Sequence, residues 1–199
     1  MKIISAIGHP LLMATYLSFI LLLKAPELFA IPIHAAWYFL LAIFLTTCLI
    51  PAFIIFSFRL FSKVSSLELI DREERPIPFL FIFIWYGVAC FLFVDRLQLG
   101  APFSTIIVSI TILIGLLLIT TRWFKISIHS TAIWSGAGIF SALTITYGVV
   151  MPEIIFGSIL LAGLTSTSRL YLGYHQPKEV WSGTILGFCF CFLAIYFLG

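Results

Sequence analysis

Long apolar runs, separated by short polar or proline-bearing joints, limit this chain to one kind of architecture. A helix that crosses the hydrocarbon core of a membrane needs about 20 mostly apolar residues. Seven runs approach that length: 4–23, 37–58, 78–94, 102–121, 130–151, 153–167 and 178–198. Because backbone groups in lipid must bond within their own segment, each run is predicted to be helical. The sequence therefore predicts an all-α, polytopic membrane bundle of about six to seven transmembrane helices, forming one domain over residues 1–199.

The composition agrees with a membrane bundle and argues against other classes of protein. Charged residues make up only 10% of the chain, less than half the roughly 25% of a soluble domain. The net charge is +3 and no block of like charges occurs, so nucleic acid is not an expected partner. The four cysteines lack the spacing of a zinc or redox site, so neither a metal nor another cofactor is expected. The expected partner is the lipid bilayer, and the oligomeric state stays open.

The first and sixth runs allow a more specific prediction each. The first run is long for a signal peptide and residues 25–27 form a poor cleavage site, so it is expected to be a retained span. The sixth run is short and contains Gly157, Ser158 and Gly163, small residues that let helices approach closely. We therefore expect the sixth run to pack against its neighbours rather than to face lipid.

Counting crossings places three polar joints on one face of the membrane. The joints 59–77, 122–129 and 168–177 share that face with the N-terminus, because an even number of crossings separates them. Nine of the eleven cations fall on this face: Lys2, Arg59, Lys63, Arg72, Arg75, Arg122, Lys125, Arg169 and Lys178. The opposite face carries only Lys24 and Arg96.

This charge asymmetry has two explanations. The positive-inside rule would make the cation-rich face cytoplasmic. A phosphate-binding site would enrich the same face whichever way it pointed. Without the four cations considered for such a site, Arg72, Arg75, Lys125 and Arg169, the count is five against two, which still favours the cytoplasm without deciding it. The expected location is a bacterial inner membrane, crossed several times.

The third joint concentrates reactive side chains in an otherwise apolar chain. Residues 168–179 include Arg169, His175 and Glu179. Arginine binds phosphate as a planar fork of donors, histidine can attack or move a proton near neutral pH, and a carboxylate can orient that histidine. Pro177 suits the first turn of the last helix, which places Glu179 in that turn, within reach of His175. The alternative is an interfacial loop whose charges lie among lipid headgroups.

The second joint ends at a predicted helix terminus. Ser127 is a plausible N-cap, which would direct free backbone N–H groups toward the surroundings of His129. Such a terminus favours anions. Taken singly, His129 is more typical of an interfacial histidine.

The first joint offers two arginines on one face. Arg72 and Arg75 are three residues apart and would share a face if the segment were helical up to Pro76. Acidic residues within 71–74 offset both charges, so a self-neutralised interfacial segment is the alternative for this joint.

Two histidines, several cations and a carboxylate thus converge on one face from three joints. This combination suits phosphoryl transfer: cations and N–H groups neutralise the phosphate oxygens, one histidine attacks phosphorus, and the other protonates the departing oxygen.

The third joint also resembles a known family signature. Ser168-Arg169, five residues, His175, three residues and Glu179 is similar to the third signature of the type 2 phosphatidic acid phosphatase superfamily, which reads Ser-Arg, five residues, His, three residues, Asp. The resemblance implies the membrane lipid phosphatase branch of the phosphatase/haloperoxidase fold.

The other two joints resemble that family's remaining signatures, in the same order. Ser127-Ile128-His129 is similar to the second signature, Pro-Ser-Gly-His, and Arg75-Pro76 is similar to the end of the first, Lys, six residues, Arg-Pro.

The resemblance implies a role for each matching residue. His175 would be the nucleophile that forms a phosphohistidine, Glu179 would orient it, and His129 would be the general acid. The residues implied to hold the phosphate are Arg75, Ser127 and Arg169.

The chain departs from the family pattern at several positions. The lysine of the first signature is replaced by Glu68, and we consider Arg72 or Lys125 as its substitute. The proline and glycine of the second signature are both isoleucine, and the aspartate of the third is the longer Glu179.

The sequence thus predicts a metal-independent lipid-phosphate or lipid-pyrophosphate phosphatase. Phosphatidic acid, phosphatidylglycerol phosphate, polyprenyl pyrophosphate and lipid A phosphate are equally compatible with these residues. The alternative is a weakened or inactive relative that binds or transports an anionic lipid.

Overall fold

The chain folds as an all-α bundle, as predicted. The computed structural model describes residues 1–199, which are 80% helical and contain no strand. The helices are α1 (Lys2–Ile7), α2 (Pro10–Lys24), α3 (Ala36–Phe44), α4 (Ile50–Leu60), α5 (Pro76–Phe91), α6 (Ala101–Thr120), α7 (Ile128–Tyr147), α8 (Pro152–Tyr171) and α9 (Pro177–Leu198). A π-helical turn, Leu45–Leu49, joins α3 to α4, and another, Leu92–Arg96, extends α5.

Five helical segments are long and apolar enough to cross a membrane, so the protein is an integral membrane protein. They are Ile33–Leu60, Pro76–Arg96, Ala101–Thr120, Pro152–Tyr171 and Pro177–Leu198. The first predicted run is not one span, because the chain breaks at Gly8 and His9 and leaves α2 only 15 residues long. The fifth predicted run forms α7, which has 20 residues. Serine, threonine and glycine are interspersed among its apolar residues, and α7 is not one of the five segments.

The most extensive helix contact joins α7 to α9, which run parallel. At their beginnings, a Cβ added to Gly183 would lie 2.7 Å from the Ser127 carbonyl oxygen, and at their ends Gly199 lies against Tyr147. Only glycine allows backbones to approach this closely. The packing places the N-termini of α7 and α9 side by side on one face of the bundle.

The expectation that the sixth run packs closely through its glycines was wrong. In α8, a Cβ added at Gly157 or Gly163 would meet nothing within 4 Å, and Phe156 is 71% exposed. The glycines that mediate close packing lie in α9 and α7 instead. The exposed face of α8 is apolar, as is typical of contact with lipid.

An aromatic core closes the opposite end of the bundle. Phe103 lies 5.1 Å from Phe29 and 5.2 Å from Phe39, measured between ring centroids. On this end, Lys24 pairs with Glu153 at 2.8 Å, an exposed ion pair of little expected stabilising value. The polar joints lie at the other end of the bundle.

Candidate active site

Two contacts between joints, and one between a joint and the start of α9, show that the polar joints meet. Arg75 Nη1 donates to the Ile126 carbonyl at 2.8 Å, which links the first joint to the second. The Ser127 backbone N–H donates to the Glu179 carbonyl at 3.1 Å, which links the second joint to α9. The third joint reaches the first in the ion pair of Arg169 with Glu68.

His175 and Glu179 form a bonded pair at the start of α9. Pro177 is the first residue of the helix, so Glu179 lies in its first turn, as predicted. His175 Nδ1 lies 2.8 Å from Glu179 Oε2, and the Gln176 N–H donates to the same oxygen at 3.2 Å. A carboxylate only accepts, so the neutral imidazole carries its proton on Nδ1. The lone pair of Nε2 is therefore available for attack.

The surroundings of His175 favour the neutral imidazole. His175 is only 8% exposed. Gly173, two residues earlier, has a left-handed backbone with φ of 69° and turns the chain back toward the bundle. Burial lowers the pKa of His175 below its ordinary value, and Arg75 and Arg169 act in the same direction, against the bond to Glu179. The ring is therefore unprotonated at neutral pH, as a nucleophile requires.

His129 lies in the first turn of α7 and is 4% exposed. Ser127 is the N-cap, as predicted: its Oγ accepts from the Ser130 N–H at 3.4 Å and from the Ser130 hydroxyl at 3.0 Å. Arg75, Arg169 and His175 are close enough to interact electrostatically with the His129 ring. The two predicted histidines thus belong to one cluster.

Arg169 is a fully enclosed cation of the cluster, at 1% exposure. Its Nη1 donates to Ser5 Oγ at 2.8 Å and to Glu68 Oε2 at 2.6 Å. Its Nε is buried without a hydrogen-bond partner, and the guanidinium carbon lies 4.5 Å from the centroid of the Tyr174 ring. A buried donor without a partner is uncommon, and a phosphate oxygen is the kind of acceptor that this group lacks.

Arg75 is also 1% exposed, but it is bonded to the backbone. Its Nε donates to the Leu69 carbonyl at 2.7 Å and its Nη2 to the Ile70 carbonyl at 3.2 Å, in addition to the Ile126 bond. Leu69 is left-handed, with φ of 48°, and the bond from Arg75 helps to hold that turn. Burial lowers the pKa of Arg75 to about 10, so the side chain stays charged at neutral pH.

Neither substitute considered for the missing lysine lies with the histidines. Arg72 Nη1 donates to the Trp123 carbonyl at 3.1 Å, and its Nη2 lies 3.9 Å from Glu73. Lys125 forms no hydrogen bond or ion pair within the protein. Arg72 is the first residue of a single 3-10 turn, and α5 begins only after that turn, at Pro76.

Two adjoining cavities meet beside His129. The polar cavity has a volume of about 210 Å³ and is lined by Lys2, Ser5, Ala6, His9, Glu68, His129, Leu172 and Tyr174. The apolar cavity has a volume of about 120 Å³ and extends between α2, α5, α6 and α7. His9, Glu68 and His129 line both cavities, whereas His175 lines neither.

His9 is the residue of this cluster that the sequence argument missed. Its ring centroid lies 5.3 Å from that of His129, with the rings edge to face. A polar side chain between Gly8 and Pro10, in the middle of an apolar run, was the available signal. The length of the run concealed the break between α1 and α2.

No protein-family model, curated protein or solved structure matches the chain. Within the structure, no three His, Cys, Asp or Glu side chains are arranged to hold a metal ion.

Proposed function

We propose that the protein is a lipid-phosphate or lipid-pyrophosphate phosphatase that works through a phosphohistidine on His175. The observation that carries the proposal is the 2.8 Å contact of His175 Nδ1 with Glu179, formed beside His129 and Arg169. The same residues resemble the second and third signatures of the type 2 phosphatidic acid phosphatase superfamily. Geometry and resemblance thus favour the same assignment.

In the first half of the reaction, His175 Nε2 attacks the phosphorus atom of the substrate. The bond from phosphorus to the lipid oxygen breaks, and His129, which has to be protonated at the start of this step, gives its proton to that oxygen and becomes neutral. The products are a lipid alcohol, or a lipid monophosphate from a pyrophosphate, and a phosphohistidine. Arg169, with its unpartnered Nε, and Arg75 offset the charge on the phosphate oxygens.

In the second half, water attacks the phosphohistidine and gives its proton to His129. The bond between phosphorus and Nε2 breaks, inorganic phosphate leaves, and both histidines return to their starting forms. Glu179 keeps the proton of His175 on Nδ1 throughout. Its place in the first turn of α9 holds the carboxylate in position.

The adjoining cavities support an amphiphilic substrate. The polar cavity opens beside His129, and the apolar cavity continues along α7 from Ile128 to Ile139. The eleven steps from Ile128 to Ile139 span about 16 Å at 1.5 Å per residue, which suits a hydrocarbon chain. We further propose a bacterial inner membrane, with the polar face toward the cytoplasm, on the basis of the cation count.

A second candidate function is the binding or transport of an anionic lipid without turnover. The bonds of Arg75 to three carbonyl groups and of Arg169 to Glu68 favour it, because they occupy donors that a phosphatase needs. The position of His175 outside both cavities favours it as well.

Phosphate release from a panel of lipid phosphates separates the two functions. We expect the purified protein to hydrolyse at least one of them, and His175→Ala and His129→Ala each to lose activity by about 10² to 10⁴. The matched control is His34→Ala, an exposed histidine of the opposite face. Activity that survives both site substitutions contradicts the mechanism. Lipid binding without turnover in the wild type supports the second function.

A further inference from the structure

The N-terminal segment forms one wall of the polar cavity. Lys2, Ser5 and His9 all line it, although none of them belongs to the three joints. The segment is held against α8: a Cβ added at Gly8 would collide with the Thr165 side chain. Thr165 lies one helical turn before Arg169, so this contact holds the segment beside Arg169, which also donates to Ser5 of the segment.

The hydrogen bonds of His9 determine which of its ring nitrogens can donate. His9 is the N-cap of α2, and its Nδ1 accepts the Leu11 N–H at 3.3 Å. Because Nδ1 is an acceptor, the neutral ring carries its proton on Nε2. Nε2 forms no hydrogen bond within the protein. His9 therefore presents one N–H donor, free of a protein partner, at the edge of the polar cavity.

The charge around His9 is consistent with a neutral donor. Burial lowers the pKa of His9, Glu68 opposes this effect, and Arg169 adds to it. His129 is the other titratable group in contact with the ring. Glu68 cannot supply a donor for phosphate here, since its carboxylate is an acceptor bonded to Arg169.

We propose that the N-terminal segment completes the phosphate site, with His9 Nε2–H donating to a phosphate oxygen and Lys2 adding positive charge at the mouth of the cavity. These two groups take the place of the cation that is missing at Glu68. The inference rests on the proposed phosphatase function, and it makes His9 a binding residue rather than a catalytic one. The ligand class is a phosphate monoester or diphosphate group.

Two substitutions separate the donor of His9 from its capping role. His9→Asn keeps an acceptor where Nδ1 caps α2, but its shorter amide leaves no N–H at the position of Nε2, whereas His9→Gln places its amide N–H near that position. We expect His9→Asn to weaken the binding of inorganic phosphate about tenfold, as for one hydrogen bond to a charged group. We expect His9→Gln to retain affinity within about threefold. Calorimetric titration of the full chain in detergent measures both.

Matched controls address folding and general charge. His34→Asn repeats the chemical change on the opposite face and should leave phosphate binding unchanged. Lys2→Gln should weaken binding more at low salt than at high salt, whereas Lys63→Gln, an exposed cation of the same face, should have little effect. Thermal unfolding of each variant in the same detergent shows whether a loss of binding follows a loss of folding.

The outcomes distinguish this inference from the proposed function. Wild-type phosphate affinity in a folded His9→Asn variant overturns the inference and leaves the phosphatase proposal standing. The expected binding pattern without lipid turnover in the wild type overturns the phosphatase and retains the anion site. A wild type that hydrolyses lipid phosphate but binds no inorganic phosphate overturns the inference alone.

Discussion

Glu68 Oε2 lies 2.6 Å from Nη1 of Arg169, so an acidic side chain of the first joint is bound to the arginine of the third joint. Arg169 is buried and the Glu68 side chain is 39% exposed. The carboxylate therefore occupies a donor that a substrate phosphate would use.

Replacing Glu68 should strengthen phosphate binding. In Glu68→Gln the competing negative charge is lost, and we expect the inhibition constant of inorganic phosphate to fall about three- to tenfold. The amide oxygen still accepts from Arg169, so the thermal midpoint should change little. Glu74→Gln is the matched control, because its carboxylate binds the Ser65 N–H of the same joint instead. Equal or weaker phosphate inhibition in Glu68→Gln would show that the carboxylate does not compete.

Glu179 should control the reactivity of His175. In Glu179→Gln the amide can present its N–H group to Nδ1 and favour the wrong tautomer, which leaves Nε2 protonated. We expect kcat to fall by about 10² or more, with KM changed much less. Glu179→Asp, which keeps a carboxylate, should retain more activity than Glu179→Gln. An unaltered kcat in Glu179→Gln would mean that the carboxylate does not orient the nucleophile.

The acid limb of the pH profile should report His175. A neutral imidazole attacks, so activity falls as pH drops through its pKa, which burial places below 6.5. Glu179 raises this pKa while Arg75 and Arg169 lower it, so Glu179→Gln should move the acid limb to still lower pH. The measurement is kcat/KM against pH for both proteins. A limb above 6.5 in the wild type contradicts the assignment.

The parallel packing of α7 and α9 should tolerate no side chain at Gly187. A Cβ there would collide with the Thr131 backbone, which cannot move without shifting the N-terminus of α7. We expect Gly187→Ala to lower the free energy of unfolding by about 1 to 3 kcal/mol. Gly163→Ala in α8 is the matched control, because its Cβ would enter open space. Unfolding in mixed micelles compares the two, and equal stabilities would contradict the close approach.

The sidedness of the site can be tested at Lys63. The residue is exposed on the polar face. In a variant whose four natural cysteines are replaced, Lys63→Cys should be labelled by an impermeant thiol reagent only after the cells are broken. Labelling of intact cells would place the polar face outside and would attribute the cation excess to the site alone.

The local features of the site followed directly from the sequence. Ser127 as N-cap, Pro177 in the first turn of α9 and the reach of Glu179 to His175 depend on residues a few positions apart. Short-range spacing and capping chemistry decide such contacts. The predictions for the first and sixth apolar runs were less successful. The break at His9 leaves the first run apolar, and the outward position of Gly163 leaves the sixth run apolar, so the apolar pattern reveals neither feature.

By itself, the sequence determined that the chain is a helical membrane protein with its polar joints on one face. Apolar length and the parity of crossings settle both, because lipid leaves the backbone no other way to bond. Only the tertiary structure decided which donors are available: Arg75 is bonded to carbonyl groups, Arg169 to Glu68, and His9 enters from the N-terminus. Those contacts join residues far apart in the chain, and the rotation of each packed helix sets them.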